Sequence, residues 1–366
     1  MSVSNKLLAL RAGVLHGAVR ADHPDVLLVT AGGGSRVSTG RASTLASYLT
    51  GDKWTVHVHS EWRHAAGRSD LGGVIDRLAF FRELVRVIPR HDIVHLMADS
   101  PGSFWCFVVP SLALARFFNK RIILSFLCPE VEDVLGRWGW LARPFFRLAD
   151  PVVADCNYVA GIFARHGLAT RMILPLPRRF AGSIRQITRL QPKILVDRPL
   201  TRANNVACLV RAFKFVKQKY PRSELLIAGD GPERQALQHL ISAEYIHGVT
   251  FTTKGWDALF AEADLYANSS SYDTFPESIL TALGGGLPVV TTDAGGIPQV
   301  VKDRINGMVV PINDHVGLAE RIIELVENPE LVAALTTAAG DLLRNFSWES
   351  AGNSWRRLYL ATFERS

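Results

Sequence analysis

Asp273, Thr274 and Ser278 gather a carboxylate and two hydroxyls around Pro276, in a stretch that opens with the polar run Asn268 to Ser271. Pro276 sits where a helix would begin, a place suited to its fixed φ and missing N–H. A helix N-terminus favours anions. Polar groups beside it, beyond the end of a strand, are placed to bind a ligand with a negative group. A second stretch invites similar chemistry. Residues 31–40 form a glycine-rich turn in which Gly33 and Gly34 would let backbone come close to a phosphate or a sugar. The turn lacks the third glycine of the dinucleotide fingerprint and the Gly-Lys-Ser/Thr of a P-loop. Its plain alternative is a tight turn and nothing more.

These groups need strands and helices to hold them. Ala263 to Ala267 is a short apolar run before the polar stretch. Ile279, Leu280 and Leu283 give the helix after Pro276 an apolar side, Gly284 to Gly286 end it, and Leu287 to Val290 read as a buried strand. Upstream, strands are predicted over Asp25–Thr30, Trp54–His59, Asp92–Met97, Arg121–Leu127, Pro151–Asp155 and Thr170–Leu174. Helices are predicted over Leu71–Ile88, Pro101–Phe118 and Val159–His166. The alternation resumes with strand Lys193–Asp197 and strand Ser223–Gly229. It predicts mostly parallel sheets with helices on both faces. The prolines and charges from Pro175 to Pro192 read as a linker. The expected division is an N-terminal extension (1–24), a first domain (25–180), a linker (181–192), a second domain (193–347) and a last helix (348–366).

At 366 residues the chain exceeds what one hydrophobic core usually serves, which supports two domains. No apolar run reaches membrane-spanning length, and the N-terminus has no long apolar segment with a small-residue cleavage site. Cys106, Cys128, Cys156 and Cys208 are scattered without a C-x-x-C, which reads as reduced buried thiols in a cytoplasmic protein. The net charge of +7 is uneven: residues 1–180 carry 22 basic against 14 acidic residues, and the remainder 19 against 20. A basic first half suits a phosphorylated or lipid-linked acceptor, or peripheral contact with an anionic membrane, as well as it suits plain solubility. No nucleic-acid-binding signature accompanies it.

Asp273, Phe275, Pro276, Ala282, Gly286, Pro288, Val289, Val290, Gly295, Gly296 and Pro298 together resemble the donor-binding segment of glycosyltransferase family 4. Its members are retaining, GT-B-fold enzymes using nucleotide-diphosphate sugars. Two positions depart from the family: Thr281 stands where a second Glu is usual, and Gln299 where a Glu follows Gly-Gly-x-Pro. Arg198, just after the second domain's first strand, matches the family's diphosphate-binding Arg. The partner Lys is missing near Ala203 or Asn204, and Arg202 could substitute. Gly229 opens the Gly-Asp-Gly-Pro turn, another hallmark. No His follows Ser125, where many members place one for the acceptor; Glu130, Glu132 or Asp133 could contact it instead, or form a solvated helix start. His95 reads as a core residue. In GT-B proteins a terminal helix commonly crosses back to the first domain, with Trp355, Leu358 and Tyr359 as its contacts here.

The resemblance implies an α/β GT-B fold, two Rossmann-like domains facing a cleft, and sugar transfer from a nucleotide-diphosphate sugar to a hydroxyl of a glycan or lipid-linked acceptor. No cofactor is implied, and no metal, since D-x-D is absent. Arg198 and the helix after Pro276 would stabilise charge on the leaving diphosphate. Asp273 would hold donor-sugar hydroxyls, flanked by Thr274, Phe275 and Pro276. Thr281 would replace the ribose-binding Glu, with Glu277 one turn earlier as compensation. The missing Glu, Lys and His equally fit a non-catalytic homologue that partners an active transferase.

Overall fold

In the computed structural model, residues 23–30, 36–51, 54–59, 71–98, 100–127, 131–172, 192–346 and 351–364 are described. They form two six-stranded sheets in which every strand pair is parallel. The first contains β1 (Val26–Thr30), β2 (Val56–His59), β3 (Ile93–Ala98), β4 (Arg121–Phe126), β5 (Val152–Ala154) and β6 (Arg171–Met172), ordered β2-β1-β3-β4-β5-β6. Strands β1 and β3 are buried along their whole length, as a parallel sheet covered on both faces requires. Their unbroken apolar runs follow from that.

Alternate residues of these strands feed two cores. Leu27, Val94, Leu96 and Leu124 point to one side. There they meet α2 (Leu71–Val87), α3 and α4 (Val131–Leu148). Helix α3 comprises Pro101–Ser103, a π-helical turn Phe104–Val108 and Val109–Phe117. Val26, Leu28, Ile93 and Ile123 point to the other side, against α1 (Arg36–Gly51) and a helix from the far end of the chain. After β5 comes α5 (Asn157–Arg165).

The second sheet holds β7 (Lys193–Asp197), β8 (Glu224–Ala228), β9 (Val249–Thr252), β10 (Leu265–Asn268), β11 (Val289–Thr292) and β12 (Met308–Val310). Its order, β12-β11-β10-β7-β8-β9, is that of the doubly wound dinucleotide folds, so the direction of winding reverses between β7 and β10. Around it lie α6 (Val206–Lys219), α7 (Arg234–Ala243), α8 (Trp256–Glu262), α9 (Glu277–Gly284), α10 (Ile297–Val300), α11 (His315–Glu327) and α12 (Pro329–Leu343). The last helix, α13 (Asn353–Glu364), leaves this domain and packs on the first: Trp355, Leu358 and Tyr359 join the core of Val26 and Leu28. His95 is buried there, between the Tyr359 hydroxyl at 2.7 Å and Ser125 Oγ at 2.8 Å.

Two details differ from expectation. Helix α4 occupies residues that carried no helix prediction; Gly136, Gly139 and Pro144 lie inside it and read as breaks. Cys106 is exposed, while Cys156 and Cys208 are buried as expected. Residues 1–22 of the expected N-terminal extension, residues 181–191 of the expected linker, Gly33, Gly34, Glu130 and Cys128 lie outside the described residues.

Candidate active site at the domain junction

The crevice where a doubly wound sheet changes direction is its natural binding site. In the second sheet it opens between β7 and β10. Arg198 is the first residue after β7, and Asp273 lies in the loop that follows β10. Their side chains meet: Arg198 Nη2 is 2.8 Å from Asp273 Oδ2, with Asp273 buried and Arg198 partly so. The contact is not aligned as a hydrogen bond, so Oδ2 has charge compensation without a directed donor. Burial pushes the Asp273 carboxyl above the ordinary carboxylate range, and Arg198 pulls the other way without cancelling it.

Asn204 fixes the guanidinium. Its Oδ1 accepts from Arg198 Nε at 3.0 Å and Nη2 at 2.8 Å, while its own amide donates to the Pro199 carbonyl and Thr201 Oγ1. The place near which the family has a Lys is thus held by a residue that orients the Arg. Arg198 Nη1 also reaches Ser278 Oγ at 3.4 Å, in the first turn of α9. No side chain caps that helix N-terminus. The fully buried Tyr266 hydroxyl lies in the same neighbourhood, and burial raises its pKa.

Glycines bring the loops this close. A Cβ on Gly229 would stand 2.1 Å from the Arg198 carbonyl oxygen, and one on Gly231 2.5 Å from that of Leu200. Gly295, with φ at +53°, and Gly296 would each place a Cβ 2.0 Å from the carbonyl oxygens of Asp273 and Thr274 respectively. Gly296 N–H donates to the Asp273 carbonyl at 2.8 Å. Both glycine motifs therefore serve backbone-to-backbone approach around Arg198 and Asp273.

The other expected site residues are more dispersed. Thr274 and Phe275 are buried beside Asp273. Pro276 precedes α9. Thr281 is buried, and its hydroxyl donates to the Glu277 carbonyl at 2.9 Å, which spends its proton but leaves acceptor capacity. The Glu277 carboxylate faces the first domain instead. Arg202 is 94% exposed, at the rim of a cavity of about 390 Å³ also lined by Thr201, Asn205 and Ser271. Glu132 is half-exposed and pairs with Arg165 at 2.7 Å. Among the described residues, no group of three His, Cys, Asp or Glu side chains could hold a metal ion.

Arg41, on α1, was not among the expected residues. It donates from Nη1 to Asp155 Oδ2 at 2.8 Å and from Nε to Glu277, so one buried guanidinium ties both domains together. Burial pulls its pKa down, but Glu277 and Asp155 outweigh that and hold it above the usual value. No motif marks Arg41; its only signal is a basic residue on the helix behind the glycine-rich turn. Gln299 makes a second bridge, its Oε1 accepting the Asn157 backbone N–H of α5 at 3.0 Å. Tyr158 and Tyr272 meet edge to face, 5.9 Å apart, as a third.

Two parallel doubly wound sheets joined this way, with the buried polar cluster at the junction, define the GT-B architecture. Solved structures agree. Sucrose-phosphate synthase from Thermosynechococcus elongatus superposes with a TM-score of 0.74 over 93% of this chain and 100% of its own, at 16% identity. The Anabaena protein HepE in complex with UDP and glucose gives 0.68 over 92% and 99%, also at 16% identity. Residues 184–341 match the family model described as glycosyl transferases group 1. Relatives include alpha-monoglucosyldiacylglycerol synthase of Acholeplasma laidlawii, 28% identical over 47% of this chain and 44% of its own. Another is glycogen synthase of Mycobacterium tuberculosis, 23% identical over 74% and 69%. Over residues 184–341 the chain matches the glycosyl transferases group 1, and it is similar to glycosyltransferases of the family 4 type. Its match spans less than half the length of the first of these relatives.

Proposed function

We propose that the protein transfers a sugar, with retention of configuration, from a nucleotide-diphosphate sugar to a hydroxyl of a glycan or lipid-linked acceptor. The observation that carries this reading is the Arg198–Asp273 pair, its carboxylate buried, at the reversal point of the second sheet, beside the uncapped N-terminus of α9. A guanidinium held by Asn204 presents a planar fork to phosphate. An anionic diphosphate would compete with Asp273 for it and release the carboxylate toward sugar hydroxyls. Charge developing on the leaving diphosphate would then meet Arg198 and the helix N-terminus, which need no reorganisation. The acceptor's proton passes to the leaving phosphate oxygen on the same face as the new bond forms. Buried Asp273 Oδ2 and Asp155 Oδ1, which lack directed hydrogen bonds, are suited to ligand hydroxyls. HepE, solved with UDP and with UDP-glucose, supports a nucleotide-sugar donor by analogy of fold. A relative named for a diacylglycerol product supports a lipid-linked acceptor, and with it a place at a cytoplasmic membrane surface.

A non-catalytic role as partner of an active transferase is the second reading. The internal pairing favours it: Arg198, Asp273 and Glu277 have partners already, and Thr281 has spent its proton. Calorimetric titration separates the two. The enzyme reading expects a nucleotide sugar to bind wild type, and Arg198→Ala to weaken nucleoside diphosphate by about 1.5–3 kcal/mol while leaving nucleoside nearly unchanged. Absence of binding across a panel of common nucleotide sugars favours the partner role.

A further inference from the structure

The first domain wears an uneven outer surface. Helices α2, α3 and α4 cover one side of its sheet as a layer, with α3 touching both neighbours. Among the described residues, every large apolar side chain that this domain leaves exposed, Val58 apart, lies on that layer. Leu78 and Val85 are on α2, Phe117 ends α3, and Trp138, Trp140, Leu141 and Leu148 are on α4. Phe117 is 80% exposed and Trp140 76%. Between α2 and α3 an apolar groove of about 660 Å³ runs past Phe81, Val85, Leu114 and Phe117. Single exposed apolar residues need no explanation, but a concentration of them on one face does.

Charge narrows what covers this face. The three helices carry seven arginines and no lysine, against four acidic residues. Two of those acids, Glu132 and Asp133, sit in the first turn of α4; beyond it α4 has Arg137, Arg143 and Arg147 and no acid. Exposed tryptophan beside arginine is suited to the headgroup level of a bilayer, where an indole is half solvated and an arginine stem lies along apolar surface. A second copy of the chain, seated by a two-fold axis, would set arginines against arginines.

We propose that this three-helix face docks the protein on an anionic lipid bilayer. Trp138, Trp140 and Phe117 enter the headgroup boundary, and Arg137 and Arg147 face lipid phosphates. The docking is peripheral, since no described helix is long and apolar enough to cross a membrane. It rests on the outer face of the first domain and is independent of what the domain junction binds.

Flotation of the full chain with vesicles tests it. Binding is expected to vesicles of equal parts phosphatidylcholine and phosphatidylglycerol, weakened by salt, with little to phosphatidylcholine alone. Joint Arg137→Ser and Arg147→Ser replacement is expected to lower partitioning roughly thirtyfold, at two basic residues near an anionic surface. Joint Trp138→Ser and Trp140→Ser replacement is expected to lower it about tenfold or more. Tyr245→Ser, which changes an 82% exposed residue of the second domain, should leave it unchanged. All these side chains are exposed enough for unchanged thermal midpoints to certify folding. Failure of wild type to float with the anionic vesicles, or flotation of both paired variants equal to that of wild type, overturns the proposal. A dimer in sedimentation that the tryptophan variant dissolves overturns it in favour of a second copy.

Discussion

Replacing Arg41 with Met tests whether the domain junction is held electrostatically. Arg41 is 12% exposed, and its partners Asp155 and Glu277 are 5% and 22% exposed, so little solvent stands ready to replace the guanidinium. Methionine keeps much of the volume but leaves two carboxylates facing an apolar side chain. Breaking a buried ion pair by removing one partner costs about 3–5 kcal/mol, mostly for the stranded charge. Glu277 keeps some water, which places the expectation near the lower end, about 3 kcal/mol. For a domain of this size that lowers the thermal midpoint by roughly 6–12 °C. The same reasoning makes a second, opposite demand. Adding Asp155→Asn and Glu277→Gln to Arg41→Met removes the stranded charges, and stability should recover most of the loss, because a buried charged cluster can be replaced by neutral groups at little net cost. Scanning calorimetry of wild type, single and triple variants decides the matter. A single variant within about 2 °C of wild type, or a triple variant no more stable than the single, refutes the reasoning.

The site makes further demands. Thr281→Glu is expected to tighten nucleotide-sugar binding, since a carboxylate accepts ribose hydroxyls about twice as strongly as a hydroxyl, while Asp273→Asn should impair transfer without weakening free-nucleotide binding, since it frees Arg198 from its internal partner; calorimetry and a transfer assay on both variants check this. Gly296→Ala places a Cβ against the Thr274 carbonyl and should cost about 1–3 kcal/mol of stability, read from denaturant midpoints. Burial holds the His95 imidazole down to about 3 from 6.5, so it stays neutral in the fold. Its contribution is complete above pH 6.5 and drains as pH falls toward 3, with about 2 kcal/mol lost by pH 5. His95→Gln should flatten that part of the stability–pH curve, and parallel curves for variant and wild type would exclude it.

Much of this architecture is legible in the chain. Fully buried parallel strands read as unbroken apolar runs, so β1, β3, β7 and β11 were expected close to where they lie. Arg198 stands out because it follows a strand directly, and Asp273 because it lies between a strand's polar end and a helix start. What the sequence hides is partnership across distance. Nothing near Arg41 announces two carboxylates, one of them in another domain, and nothing near Glu277 says that it turns toward Arg41. Gln299 looks like the loss of an acid; in the fold its neutral amide suffices to accept one backbone N–H. Helix α4 escapes notice for a different reason. Its apolar face is well marked, but Gly136, Gly139 and Pro144 interrupt it and read as a turn or loop.

The return of α13 to the first domain bears on how the chain is made. Trp355, Leu358 and Tyr359 fill one core of that domain, and Tyr359 closes over His95. These residues follow the whole second domain in the chain. A ribosome adding roughly 5–20 residues each second therefore delivers β1 to β6 well before the helix that completes them. In that interval Val26, Leu28 and Ile123 lack part of their cover, and His95 lacks the Tyr359 hydroxyl. The second domain, whose strands and helices are contiguous from β7 to α12, has no such wait. Birth order and order of completion are thus reversed: the domain synthesised first is the one finished last.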